Sequence, residues 1–284
     1  STVDTDCDTD TSLLASEYCV KIHQFAISLL YDALKCAEKL RDERLPCESD
    51  LEALKTTIAL MMRCLLSTSY EVQVGATRIL AKLLRSGLLA KEISAENLTK
   101  RIIRTLKSCK SVKDHLAQNC LKILAHIMKT HHQITLTLPQ VSFVLSFSFK
   151  NLSDDAQDLK NSFLLLNSLI SRRVVQNDMY ALMHELLLTI AKGQSMQVRS
   201  MCSHVFIRFV LSYPIGERKV EDMLRTLISS LEYPQADGRM SVLSTIHALL
   251  LKLPEVAPKS NGPLSFFPLA VSYTHLRAHE TSID

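Results

Sequence analysis

The sequence is poor in glycine and proline and contains no tryptophan. Only 6 Gly and 8 Pro occur among its 284 residues. An all-β protein requires frequent turns built from these two residue types, so their scarcity argues against an all-β fold. Because 47% of the residues are hydrophobic and 22% are charged, the chain can bury a substantial core. Helices are therefore the expected secondary structure.

Long apolar runs are also lacking. The best one, residues 141–149, is interrupted by serines and is far shorter than the roughly 18 residues that a membrane-spanning helix requires. The chain opens with an acidic stretch, whereas a secretory signal opens with basic residues followed by an apolar region. We therefore expect no membrane association, and we interpret residues 1–12 as an acidic, disordered tail or linker.

The cysteines do not form the close pairs that are typical of zinc sites. None of the 8 cysteines lies in a Cys-x-x-Cys pair, so free thiols are the expected state. The nearest approach to a ligand set is Cys109, His115, Cys120 and His126, which buried cysteines and surface histidines on neighbouring helices explain more simply. A further pair, His275 and His279, has the spacing of ligands on a helix, but no Glu lies between them and no helix is expected there. The sequence predicts no metal site.

Catalytic motifs are absent as well. The sequence contains no phosphate-binding P-loop, no dinucleotide-binding glycine turn, no nucleophile elbow and no His-Glu-x-x-His helix. Each absence removes a class of enzyme. We therefore predict a non-catalytic protein without catalytic residues, cofactor or small-molecule substrate.

What the sequence does contain is a repeated pair of amphipathic helices. Apolar residues recur at helical spacing in five successive pairs of segments, which are 51–65 with 70–84, 98–106 with 116–128, 141–149 with 159–170, 180–190 with 198–211, and 220–231 with 240–251. The period of about 40 residues is typical of HEAT and armadillo repeats. Since one such pair cannot cover its own apolar face, neighbouring pairs must stack. The predicted fold is an all-α, HEAT/armadillo-like helical-repeat solenoid, an α-α superhelix.

The predicted boundaries follow from this pattern. The repeats occupy residues 13–253, with an earlier, less regular helix at 16–40. Residues 254–270 are interpreted as the start of a truncated next repeat. The last stretch, 271–284, resembles translated adaptor sequence and is interpreted as a non-native tail.

One segment is strongly basic, from Lys91 to Lys113. Its candidates for contact with RNA phosphates are Lys100, Arg101, Arg104, Lys107 and Lys110. Lys100, Arg104 and Lys107 follow a spacing of i, i+4 and i+7, so they form one stripe along a helix, which we call the basic ridge. The alternative is an ordinary solvated helix face. No aromatic residues are interleaved with the ridge, so stacking on bases is not expected.

The fifth pair of helices and the segment before it resemble a known family. Residues 202–218, 231–239 and 241–251 are similar to the down-regulated-in-metastasis family, the U3 small-nucleolar-RNA-associated component twenty of the small-subunit processome. The resemblance implies an internal fragment of a very long helical-repeat protein of the nucleolus. It further implies a scaffold for pre-ribosomal RNA processing and 18S rRNA maturation, with ribosome-assembly proteins and pre-rRNA or U3 snoRNA as partners.

Two other points remain open from the residues alone. A transport or trafficking adaptor of the HEAT or armadillo type is the alternative function, although armadillo importins use tryptophan ladders and this chain has none. Within the resembling segment, residues 213–216 are expected to stop a helix, with Gly216 permitting the reversal of the chain, and Asp237 is expected to cap the next helix. These residues are predicted to shape the repeat.

Overall fold

A computed structural model describes residues 20–28, 30–31, 48–85, 95–150 and 156–256, and all regular secondary structure within those ranges is helical. Residues 20–28 and 30–31 form an N-terminal helical segment. Ten longer helices follow it: α1 Glu48–Cys64, α2 Tyr70–Arg85, α3 Ala95–Ser108, α4 His115–Thr130, α5 Leu138–Phe149, α6 Ala156–Ser171, α7 Asn177–Lys192, α8 Met196–Ser212, α9 Glu217–Ser229 and α10 Ala236–Val256. A single 3-10 turn, Ser230–Glu232, separates the last two.

These helices form five consecutive pairs at the predicted places, which confirms the all-α helical-repeat fold class. The chain divides into unit 1, residues 1–135, and unit 2, residues 136–284. In unit 1, α1 packs on α2, α3 packs on α4, and the second helices α2 and α4 pack side by side. In unit 2, α6, α8 and α10 form the row of second helices, while α5, α7 and α9 form the row of first helices.

The apolar stripes cause this arrangement. In α3, Leu98, Ile102 and Leu106 are fully buried, and the opposite side carries the basic residues. The second helices are buried on more sides, because each packs against its own partner and against neighbouring second helices. In α4 the buried residues include Leu116, Cys120 and Ile127. Stacking of the pairs therefore removes the apolar surface that a single pair would leave in water.

A repeated hydrogen bond closes the tight turn inside four of the five pairs. The fourth residue of the second helix donates from its side chain to a carbonyl oxygen six residues earlier. The donor–acceptor pairs are Gln73 to Ser67 at 2.7 Å, Gln118 to Val112 at 2.7 Å, Arg199 to Gly193 at 2.8 Å, and Arg239 to Tyr233 at 3.0 Å. We call these four donors the turn-binding residues. They satisfy turn carbonyls that lie outside the helical ladder.

The predicted helix boundaries hold in general and differ in detail. α8 ends at Ser212, where the sequence predicted a stop. Gly216 does not make the reversal, because it has an extended conformation with φ −70° at the start of α9. Asp237 lies inside the first turn of α10 and does not precede the helix as a cap. α10 continues past Pro254 to Val256.

Several predictions fall outside the described residues. They concern the acidic tail at 1–12, most of the helix at 16–40, Lys91 at the start of the basic segment, and the residues from 257 onward, which include His275 and His279. Within the described residues, every helix is too short or too polar to cross a bilayer.

Candidate nucleic-acid interface

The basic ridge lies on the solvent side of α3. Lys100, Arg104 and Lys107 are all exposed, and the buried residues of α3 occupy the other side of the helix. Lys100 forms an ion pair with Glu96 one turn earlier at 2.7 Å. The hydrogen bond and the charge of Lys100 hold the pKa of Glu96 below its usual range. One of the three cations of the ridge is therefore partly neutralised by its own helix.

Arg101 has a different environment from its neighbours in the sequence. Its side chain is half-buried, and its guanidinium Nη1 donates to the carbonyl oxygen of Met62 at 2.8 Å. Met62 belongs to the last turn of α1. In a continuing helix its carbonyl oxygen would accept from the amide of Leu66, but that amide donates to the carbonyl oxygen of Arg63 instead. Arg101 thus satisfies a helix-end carbonyl that would otherwise lack an intrahelical partner. The structure places this predicted phosphate contact in the packing between α1 and α3.

Arg104 lies beside a small surface cavity of about 220 Å³, which is lined by Leu65, Leu66, Gln73, Arg101, Arg104, Thr105 and Ser108. The cavity is open between the end of α1 and the ridge. Lys110, the last of the predicted contacts, is exposed in the loop after α3. Four of the five predicted residues therefore have exposed side chains, and three of those four share one stripe.

The second helices of unit 1 carry further cations that the sequence analysis did not single out. Arg78 and Arg85 lie on α2, and Lys122 and Lys129 lie on α4. The signal that could have revealed them is the absence of acidic residues: α4 contains no Asp or Glu, and α2 contains only Glu71. From residue 55 to residue 135 the chain has 14 Lys and Arg against 4 Asp and Glu.

The cysteines and histidines of the described residues do not assemble into a ligand set. No group of three or more potential ligands occurs among them. Cys109 donates to the carbonyl oxygen of Thr105, and burial, followed by the charge of Asp114, raises its pKa to about 11. Burial also raises the pKa of Cys120 and brings that of Cys202 to about 12. Such thiols stay protonated at neutral pH, which makes them poor nucleophiles.

Unit 2 contains an open groove between the first helices α5 and α7. Its volume is about 590 Å³. The rings of Phe143 and Phe147, with centroids 5.8 Å apart, lie on one wall. The other wall carries Asp178 and Glu185. Lys150 lies at the end of the groove, so the groove combines apolar area with two carboxylates and one cation, whereas the ridge on α3 carries three cations.

Comparison with known proteins identifies relatives of the chain. No protein-family model matches it. It is 23% identical over 225 residues to U3 small nucleolar RNA-associated protein 20 of Schizosaccharomyces pombe, and 24% identical over 234 residues to the protein of the same name in Saccharomyces cerevisiae. These alignments cover 79% and 81% of this chain but only 9% of each relative. The resemblance predicted from residues 202–251 is therefore confirmed, and the chain is related in sequence to the U3 small nucleolar RNA-associated protein 20 of these two yeasts.

Proposed function

We propose that this chain is a segment of a non-catalytic scaffold for assembly of the small ribosomal subunit. The observation that carries the proposal is the match of about four fifths of the chain to two proteins named for association with U3 small nucleolar RNA. Its HEAT-type repeats would hold ribosome-assembly proteins together with pre-rRNA or U3 snoRNA. In this way the whole protein would support 18S rRNA maturation in the nucleolus, as part of the small-subunit processome.

The charge of the part of unit 1 that follows residue 54 supports an RNA contact. Lys and Arg outnumber Asp and Glu by 14 to 4 between residues 55 and 135, and a surface with such an excess attracts a phosphate backbone. The exposed cations of the ridge repeat along one side of α3, as contact with successive phosphates requires. Phosphate contacts position a nucleic acid without reading its sequence.

Affinity capture of the full-length parent protein tests the scaffold role. We expect U3 snoRNA, pre-rRNA and ribosome-assembly proteins to be recovered together. Recovery of transport cargo or vesicle coats without either RNA would contradict the proposal. That result would favour the alternative, a transport or trafficking adaptor, for which the groove between α5 and α7 offers an apolar and acidic binding site.

The RNA contact of the ridge is tested by reversing its three charges in the variant Lys100→Glu, Arg104→Glu and Lys107→Glu. Binding to unrelated RNA sequences should weaken equally, because phosphates carry no base information. The slope of log affinity against log salt concentration should fall by about 2 units, at roughly 0.7 per phosphate on single strands. Arg101 is left unchanged because its guanidinium is bonded to Met62.

A matched control reverses three exposed cations of unit 2, in the variant Lys150→Glu, Arg218→Glu and Lys252→Glu. This variant has the same net charge as the ridge variant and should retain most of the salt slope. Circular dichroism should show unchanged helicity for both variants, since all six side chains are exposed. Wild-type affinity and salt slope in the ridge variant would show that the ridge is only a solvated face.

A further inference from the structure

The second helices of unit 1 lie parallel and in register. Asn119 Nδ2 donates to Thr77 Oγ1 at 3.2 Å, and these residues are 42 positions apart. One heptad further along, the side chain of His126 forms a hydrogen bond with the backbone of Leu84, again 42 positions away. A constant offset means that each residue of α2 lies level with the residue 42 positions later in α4.

This register places four cations on one side of the helix pair. On α2, Arg78 and Arg85 each come one position after a residue that contacts α4, namely Thr77 or Leu84. On α4, Lys122 and Lys129 each come three positions after a residue that contacts α2, namely Asn119 or His126. At about 100° per residue, these offsets turn all four toward the same side of the helix pair, where the N-terminal helical segment borders α2 at Tyr31. Arg78, Arg85 and Lys129 are exposed and Lys122 is half-buried. We call these four residues the second-helix basic surface.

The four charges are closely spaced. In register, they fall at successive levels along the pair, and at 1.5 Å per residue they cover about 14 Å of the helix axis. Their proximity is reflected at His126, whose pKa is lowered by burial, against the opposing hydrogen bond with Leu84, and then by the charges of His131, Lys129 and Arg85. Like charges at such spacing repel one another, so the surface favours an occupant with several negative charges.

Few carboxylates oppose this surface. α4 contains no acidic residue, and the one acidic residue of α2, Glu71, accepts a hydrogen bond from Gln24 Nε2 at 2.9 Å. Among the described residues, no ion pair involves any of the four cations. The ridge on α3 differs in this respect, because Glu96 pairs with Lys100.

Helix electrostatics explains only half of the surface. Arg85 and Lys129 lie in the last turns of their helices, where a cation is stabilised by about 0.3–1 kcal/mol. Arg78 and Lys122 lie in the middle of their helices and gain nothing from the helix ends. The guanidinium carbon of Arg78 is held 4.8 Å from the centre of the Tyr31 ring, a contact that orients the charge without neutralising it.

We infer that the second-helix basic surface binds the phosphate backbone of RNA. A row of cations without carboxylates complements a phosphate backbone, which presents its charges in a regular row. The inference rests on the proposed RNA contact but assigns it to a surface on α2 and α4, separate from the ridge on α3. The surface contacts phosphates and sugars and does not discriminate between sequences.

The test removes the four charges in the 284-residue chain, with Arg78→Gln, Arg85→Gln, Lys122→Gln and Lys129→Gln. Glutamine keeps a high helix propensity, so the helices should persist. Binding is measured by salt titration with two single-stranded RNAs of unrelated sequence. We expect the log-log salt slope to fall by about 3 units for both RNAs, at roughly 0.7 per lost phosphate contact. An unchanged slope overturns the inference.

Two control variants separate this effect from net charge and misfolding. The first neutralises four exposed cations of unit 2, with Lys150→Gln, Lys192→Gln, Arg218→Gln and Lys252→Gln, and should change the slope by less than about 1 unit. The second exchanges Arg for Lys and Lys for Arg at the four surface positions and should keep the wild-type slope. Loss of RNA binding in either control would overturn the assignment to this surface.

The remaining outcomes distinguish this inference from the proposed function. An acidic protein is the competing occupant: preferential binding of polyglutamate over RNA, lost in the four-residue variant, would overturn the RNA assignment. Failure of the wild-type chain to bind RNA at low salt would also overturn it. Capture of U3 snoRNA by the full-length parent decides the scaffold role separately, since that RNA can be held by other parts of the parent.

Discussion

The two units of the chain use their positively charged residues differently. Unit 1 as a whole has 19 Lys and Arg against 16 Asp and Glu, but 14 of these cations and only 4 of the acids lie between residues 55 and 135, whereas unit 2 has 14 against 13. The turn-binding residues differ in the same sense, because unit 1 uses Gln73 and Gln118 where unit 2 uses Arg199 and Arg239. A neutral amide and a guanidinium thus perform the same structural task.

Arginines of unit 2 are engaged in internal contacts beyond the turns. Arg208 Nη2 donates to Ser171 Oγ at 2.7 Å, and Arg225 pairs with Glu221 at 2.6 Å. In unit 1, by comparison, Arg101 is the predicted phosphate contact that is bonded to the backbone of another helix. The number of cations in a segment therefore differs from the positive charge available to a partner, because hydrogen bonds and ion pairs within the fold engage some of the cations.

The largest expected effect is a loss of stability when a side chain is added to a glycine at a close contact between helices. In unit 2, a Cβ added at Gly238 would collide with the carbonyl oxygen of Ala191 and lie 2.8 Å from a ring carbon of Tyr233. Gly238→Ala should therefore lower the free energy of unfolding by about 3 kcal/mol, the upper range for overpacking. Denaturant titration followed by circular dichroism measures the loss.

The matched substitution in unit 1 is Gly75→Ala. Its Cβ would meet Cγ2 of the buried Ile27, which can yield only by a change of χ1 or a shift of the N-terminal helical segment, while alanine favours the helix by up to about 1 kcal/mol over glycine. We expect a loss of about 1 kcal/mol, smaller than the loss in Gly238→Ala. Equal losses for the two variants would contradict the view that the clash with the backbone oxygen of Ala191 costs more than the clash with the side chain of Ile27.

A smaller effect is expected when the turn chemistry of the two units is exchanged. Arg199 is 7% exposed and donates to the carbonyls of Gly193 and Gln194 and to Ser241 Oγ. Arg199→Ala should cost about 2 kcal/mol, because three acceptors, of which Gly193 and Ser241 are partly buried, lose a charged donor. Arg199→Gln should recover about half of this, since glutamine closes the turns of unit 1. Identical free energies of unfolding for Arg199→Ala and Arg199→Gln would contradict the view that glutamine and arginine can perform the same role in the turn.

The smallest expected effect compares two arginines of unit 1, Arg101, which is bonded to another helix, and Arg104, which is exposed. Arg101→Ala should lower the free energy of unfolding by about 1 kcal/mol, because the carbonyl of Met62 loses its donor. Arg104→Ala should change stability by less than about 0.5 kcal/mol, as exposed substitutions usually do. In RNA binding the order reverses, and only Arg104→Ala should reduce the salt slope, by about 0.7 unit. A salt slope that falls only in Arg101→Ala would contradict this division.

The sequence predicted the five helix pairs well because their cause is local. A stripe such as Leu98, Ile102 and Leu106 specifies both the helix and its buried side, and the polar breaks between stripes mark the turns. The details that differ have a tertiary cause or concern cap geometry. Gly216 was expected to permit a reversal of the chain but does not make one, whereas Gly238, at which the sequence predicted no special role, permits a close approach between helices because it lacks a side chain.

The candidate interface was predicted only in part. Helical spacing correctly placed Lys100, Arg104 and Lys107 on one exposed stripe. It could not show that Arg101 turns toward Met62, since the bond joins residues 39 positions apart. Nor could it bring Arg78 and Arg85 next to Lys122 and Lys129, because the register of α2 and α4 depends on contacts between different repeats.

The sequence by itself determined the helical pairs, their period, the side of each helix that is buried, and the relationship to the yeast proteins. These properties follow from the order of residue types along one helix or along the chain. Only the tertiary structure decided which cations remain available and which cations from different helices form one surface. The physical reason is that charge availability depends on hydrogen bonds and packing between residues about 40 positions apart, whereas periodicity describes only the angle of a residue about its own helix axis.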